Sequence, residues 1–170
     1  AICSYGKDLH VILKDPTVEF AVLETARGGI LRAGLGFSRC DIGIITNIRE
    51  DHLGLSDIDT LEDLARVKSV VVRSVKKDGW AVLNAQDEQC VRISQDLESK
   101  VAFFSMDENH PVIVAHCKKG GIAGVYENGY ITIRKGDWKI RIEKVTMIPL
   151  TMGGKARFMI ENVLAAALTG

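Results

Sequence analysis

Ile42-Gly43-Ile44-Ile45-Thr46-Asn47 carries the fold: four apolar or small residues in a row, then a stop on two polar ones. Alternating polar and apolar residues mark a strand with one wet face, whereas an unbroken apolar run marks a strand covered on both. The pattern recurs at Phe20-Ala21-Val22-Leu23 before Glu24, at Trp80-Ala81-Val82-Leu83 before Asn84, and at Val101-Ala102-Phe103-Phe104 before Ser105. Segments of helical length separate the runs. The spacing therefore predicts repeated β-α units, an α/β fold whose mostly parallel sheet takes in all four runs and is flanked by helices.

The pattern changes from residue 112 to residue 145. Short alternating runs such as Tyr130-Ile131-Thr132-Ile133-Arg134 and Lys139-Ile140-Arg141-Ile142 are separated by turn material at Asn128-Gly129 and Gly136-Asp137. This predicts a small antiparallel β meander appended to the α/β layer. Pro149 and Gly153-Gly154 then lead into an alanine-rich helix over residues 160–168.

Composition narrows the function. The 170 residues carry 22 basic and 22 acidic side chains, so a polybasic nucleic-acid surface is excluded as the main role. No apolar segment is long enough to span a membrane, and the start lacks the order of a secretory signal. Cys3, Cys40, Cys90 and Cys117 form no C-x-x-C pair, which predicts free thiols in a cytoplasmic protein. Ala1 is no initiator methionine, so the chain is expected to be a piece of a longer protein.

Ligands of open α/β sheets bind beyond the carboxyl ends of the strands. That rule points to Glu24, to Thr46-Asn47 with Asp51-His52, and to Asn84 with Asp87. A carboxylate and an imidazole there suit Mg²⁺ beside phosphates, while Glu24 and Asp51 could equally cap helices. The helix after His52 opens on a capping-box pattern, Thr60-Leu61-Glu62-Asp63. Its apolar face runs Leu61, Leu64, Ala65, Val71, Val72, Val75, with Lys68 in the middle. A lysine so placed must snorkel, pair with an acid or lose its charge, and a neutral lysine can react covalently. Gly6-Lys7-Asp8 and Gly153-Gly154-Lys155-Ala156 both lack the Ser or Thr that closes a phosphate-binding P-loop.

Five stretches together resemble the Mur ligase family: V-L-E-T-A-R-G-G-I-L-R at 22–32, T-N-I-R-E-D-H-L-G at 46–54, A-R-V-K-S-V-V at 65–71, V-L-N-A-Q-D at 82–87 and G-G-K-A-R-F-M-I-E-N at 153–162. The resemblance implies part of that family's central ATP-binding domain over residues 1–170, with the P-loop upstream and the C-terminal ligase domain downstream. It implies an ATP-dependent ligase that turns a carboxylate into an acyl phosphate for attack by an amine. By the same resemblance, Glu24 and His52 hold Mg²⁺ ions, and Lys68 is the lysine that CO₂ carbamylates. Asn162 contacts adenine and Asn47 is a second nucleotide contact. The motifs resemble most the branch that adds arginine to aspartate side chains of a growing polymer and assembles as a homo-oligomer. Folylpolyglutamate or poly-glutamate synthase chemistry and a catalytically silent binding module are the alternatives. Met159, where the family has the first adenine-contacting asparagine, and Gln86, where it has an acid, are departures. The chain by itself is expected to be inactive.

Overall fold

The computed structural model describes residues 2–4, 9–50 and 59–170. Two parallel-stranded parts follow one another. The first pairs β1 (Ile2–Ser4) with β2 (Val22–Glu24), with helix α1 (Leu9–Lys14) between them, and α2 (Arg27–Ala33) follows. The second is a six-stranded sheet in simple sequence order, from β3 (Cys40–Ile45) through β4 (Val75–Asn84), β5 (Lys100–Ser105), β6 (Ile122–Glu127) and β7 (Tyr130–Lys135) to β8 (Trp138–Lys144). The strands β3 to β6 are parallel; β6, β7 and β8 are antiparallel.

Residue alternation within the apolar runs explains why both faces are closed. Leu83 and Phe103 face one core with Ala123 and Val125, covered by α3 (Leu61–Arg73), α4 (Glu88–Ser94) and α5 (Pro111–Lys118). Val82 and Phe104 face the other with Ile131, covered by α6 (Arg157–Ala167) through Ile160 and Leu164. Gly43 interrupts its run for a reason. A Cβ there would stand 2.8 Å from Val75 Cγ2 and 3.0 Å from the Val71 carbonyl, so only glycine lets the α3–β4 junction lie on β3.

Helix α3 starts where its cap is. Thr60 Oγ1 accepts from Asp63 N–H at 3.1 Å and donates to Asp63 Oδ2 at 2.6 Å. The shorter Asp thus closes the box on the hydroxyl of its partner.

Three expectations are corrected. The run at 20–23 does not join the main sheet. Among the described residues β2 pairs only with β1, and Val22 and Phe20 are 51% and 66% exposed. Three paired residues on two strands are too few to bury both faces. The meander starts at Ile122, because Val112 lies in α5, and it continues the parallel sheet as its far edge. Its first turn has Asn128 at φ 50 and Gly129 at φ 84, the two left-handed residues of a tight hairpin. Finally, Val75 is not on the α3 face, since the helix stops at Arg73 and Val75 opens β4.

Candidate functional site

The carboxyl ends of β3 and β4 frame a cleft of about 380 Å³, lined among others by Asn47, Arg49, Asn84, Gln86, Glu88 and Glu161. Its walls are held by side chains whose polar atoms are already committed. Asn84, 5% exposed, donates from Nδ2 to the Thr46 carbonyl at 3.1 Å and accepts from Gln86 N–H at 2.9 Å. It therefore ties the end of β4 to the end of β3. Asp87 caps α4, its Oδ1 accepting from Gln89 N–H at 3.0 Å and Cys90 N–H at 3.1 Å. Its Oδ2 accepts from Ile48 N–H at 2.5 Å, which fastens the segment after β3 to the start of α4. A carboxylate at a helix N-terminus is favoured by the helix dipole as well as by these bonds. Gln86 Oε1 accepts from Met106 N–H at 2.8 Å and so tethers the β5–α5 loop.

Lys68 reaches this place from α3. The helix buries Leu64, Ala65, Ser69 and Val72, and Lys68 sits half-buried on the same side. Its Nζ donates to the Asn47 carbonyl at 2.9 Å. The stem crosses the apolar surface while the amine leaves it at a strand end, which is how a lysine in an apolar stripe avoids an uncompensated charge. Below it, burial and the charge of Asp87 push the Cys90 thiol up to about 12, so Cys90 is an inert core residue. Cys40 and Cys117 are also free thiols.

The predicted residues fall into four groups. Lys68 and Asn47 are brought into contact, and of the two it is Asn47 that lines the cleft. Glu24 ends β2 and is exposed, on the separate two-stranded sheet. It is not a helix cap, because α2 begins behind Ala26 with no side-chain cap hydrogen bond. Asn162 is exposed on α6, its Nδ2 3.9 Å from Met159 Sδ, and it is the preceding residue, Glu161, that lines the cleft. Asp51 and His52 lie outside the described residues. Among the described residues no three of His, Cys, Asp and Glu converge to hold a metal ion. Arg49 and Glu161 also line the cleft, and both lie inside the motifs shared with the family. Their signal was position, two residues beyond Asn47 and one residue before Asn162.

Residues 7–170 match the family described as the Mur ligase middle domain. The chain belongs to the Mur ligase family. This Mur ligase domain is 57% identical over 158 residues to the cyanophycin synthetase of Synechocystis sp., covering 93% of the chain and 18% of that relative. To the cyanophycin synthetase of Trichormus variabilis it is 56% identical over 159 residues, 94% of the chain and 18% of the relative. A UDP-N-acetylmuramoylalanine--D-glutamate ligase of Koribacter versatilis is 31% identical over 132 residues, 78% of the chain and 26% of the relative. The chain thus spans under a fifth of the cyanophycin synthetases it matches. The six-stranded, mostly parallel sheet with its antiparallel edge is the α/β fold of this Mur ligase domain. Among the described residues, no helix is long and apolar enough to cross a membrane.

Proposed function

We propose that this domain serves an ATP-dependent amide ligase of the cyanophycin synthetase type, which joins arginine to aspartate side-chain carboxylates of a growing polymer in the cytoplasm. Homo-oligomeric assembly of the longer protein belongs to the same reading, as does a P-loop upstream of this part of the central domain. The observation that carries the proposal is the seat of Lys68, an amine delivered across an apolar helix face to the Asn47 carbonyl, 2.9 Å away, at the carboxyl end of the sheet. The high identity to cyanophycin synthetases supports placing the domain in that branch of the family.

In this reading a carboxylate of the polymer takes the terminal phosphoryl group of ATP, and the α-amine of arginine then attacks the acyl carbon. The C–N bond forms as the C–O bond to phosphate breaks, and the amine loses a proton. Glu24 and His52 would hold Mg²⁺, with Lys68 completing the set once carbamylated. Glu24 suits that task as an exposed oxygen donor that caps no helix. Bound Mg²⁺ would neutralise phosphate charge, the main requirement of phosphoryl transfer. The Lys68 ammonium would first give up one proton, and the neutral Nζ would then add to the carbon of CO₂ with loss of a second, so that a cation becomes a carboxylate able to serve as an oxygen donor to Mg²⁺. Asn162 and Asn47 would contact the nucleotide, and Arg49 supplies the cleft with a cation.

The test uses the full-length protein with an aspartate–arginine primer, ATP and arginine. Arginine incorporation is expected, and Lys68→Ala and Lys68→Arg should abolish it with the melting temperature kept. A guanidinium holds its charge and forms no carbamate, so near-normal Lys68→Arg activity would sink the role of Lys68. Incorporation of glutamate in place of arginine would move the protein to another branch of the family. The 170-residue chain alone has no G-x-x-x-x-G-K-[ST] and should show no Mg²⁺-dependent ATP turnover.

A further inference from the structure

The strands β3, β4 and β5 run parallel, so their amino ends gather at the pole of the sheet opposite the cleft. A cavity of about 240 Å³ opens there. Arg39, just before β3, Arg73, the last residue of α3, and Ser99, just before β5, line it. Val75, 3% exposed at the start of β4, forms an apolar wall. One backbone bond fixes neighbouring places for the two arginines. Cys40 N–H donates to the Ser74 carbonyl at 3.0 Å, and Arg39 and Arg73 each stand one residue before an end of that bond.

The acids on the cavity wall are already matched with cations. Asp96 Oδ2 lies 3.6 Å from Arg73 Nη2, and Glu98 Oε2 lies 3.1 Å from Lys77 Nζ. The cations are not all matched in turn. Among the described residues, the exposed Arg39 side chain makes no ion pair and no hydrogen bond. Arg73 gives Nε to Ser69 Oγ at 3.3 Å and has the long contact to Asp96 besides, so its fork keeps N–H donors to spare.

Ser99 adds a separate observation. Its Oγ is sealed from solvent and has no hydrogen-bond partner among the described residues. A hydroxyl in that condition is costly, and native structures satisfy such a group from outside the chain.

All three groups donate, and the two guanidiniums can do nothing else. A metal or ammonium ion is therefore repelled, and a neutral polar molecule makes no use of the charge. An oxyanion fits, because its oxygens accept several bonds at once and a guanidinium fork matches the edge of a carboxylate or phosphate. Size keeps the occupant small, since pockets for drug-sized ligands begin at roughly 300 Å³. Asp96 and Glu98 on the wall disfavour a polyanion. We propose that this cavity binds a small oxyanion, a phosphate or carboxylate group, taken between the Arg39 and Arg73 guanidiniums with the Ser99 hydroxyl donating to it. The proposal stands apart from the ligase reading, since the site lies at the other pole of the sheet from the cleft.

Calorimetric titration of the full-length protein with inorganic phosphate, and separately with acetate, tests the site at an ionic strength held constant with sodium chloride. Saturable binding of one or both is expected, and the anion that binds tells which group the site takes. Arg39→Gln should weaken it on the order of 10-fold, as for a lost charge-assisted hydrogen bond. The melting temperature without the anion should be kept, because the Arg39 side chain has no partner among the described residues. Ser99→Ala should weaken binding roughly 3-fold or more. Arg49→Gln, on the wall of the cleft, separates the two sites. Binding lost with Arg49→Gln and kept with Arg39→Gln places the anion in the cleft and overturns the proposal, as does saturation by neither anion. A lower melting temperature of Ser99→Ala at unchanged affinity would mean that the hydroxyl serves only the fold, and overturns its part.

Discussion

Two of the parallel pairings, β1 with β2 and β4 with β5, begin from similar apolar runs and end differently. In the six-stranded sheet Ala81, Val82, Leu83 and Phe104 are all 0% exposed, because helices cover both faces. In the two-stranded sheet Val22 is 51% exposed and Phe20 66%. The runs differ little in hydrophobicity, so what separates them is the number of neighbours. A ten-residue strand between two partners buries its side chains, whereas a three-residue strand with one partner leaves them half in water.

The contrast can be broken first where it is greatest. Phe104→Ala should cost about 3–5 kcal/mol, and Phe20→Ala within about 1 kcal/mol, by urea unfolding. Equal costs would mean that the β1–β2 part is packed as tightly as the main sheet. The proposed ligase role sharpens the contrast, since it gives the exposed part a catalytic duty. Glu24→Gln in the full-length protein should lower amide synthesis on the order of 100-fold at unchanged melting temperature. A side chain serving only the fold would do the reverse.

Asp87 belongs to both the closed sheet and the cleft. Asp87→Ala frees the N–H groups of Ile48, Gln89 and Cys90, and should cost about 2 kcal/mol in denaturant unfolding. The smallest effect is expected at the start of α3. Thr60→Ala removes one cap and should cost about 1 kcal/mol, while Thr60→Ser should restore most of it.

Much of the site was legible because strand ends are visible in sequence. Thr46-Asn47 and Asn84 stop their runs, and the fold sets both at the cleft. Lys68 was legible as a misfit, one charge among Leu64, Ala65 and Val72 at helical spacing. The jobs of the neighbouring polar residues were not. Asn84 and Asp87 look like ligand contacts in sequence, yet their side chains bind the backbone at Thr46, Gln86, Ile48, Gln89 and Cys90.

Local chemistry alone determined the apolar runs, the Thr60 cap, the Asn128-Gly129 turn and the motifs shared with Mur ligases, because each depends on residues close together in the chain. Only the tertiary structure decided that β2 stands apart from β3, that the meander extends the parallel sheet, and that Lys68 meets Asn47. Those outcomes depend on which surfaces are left to cover one another, a quantity that belongs to the assembled chain and to no segment of it.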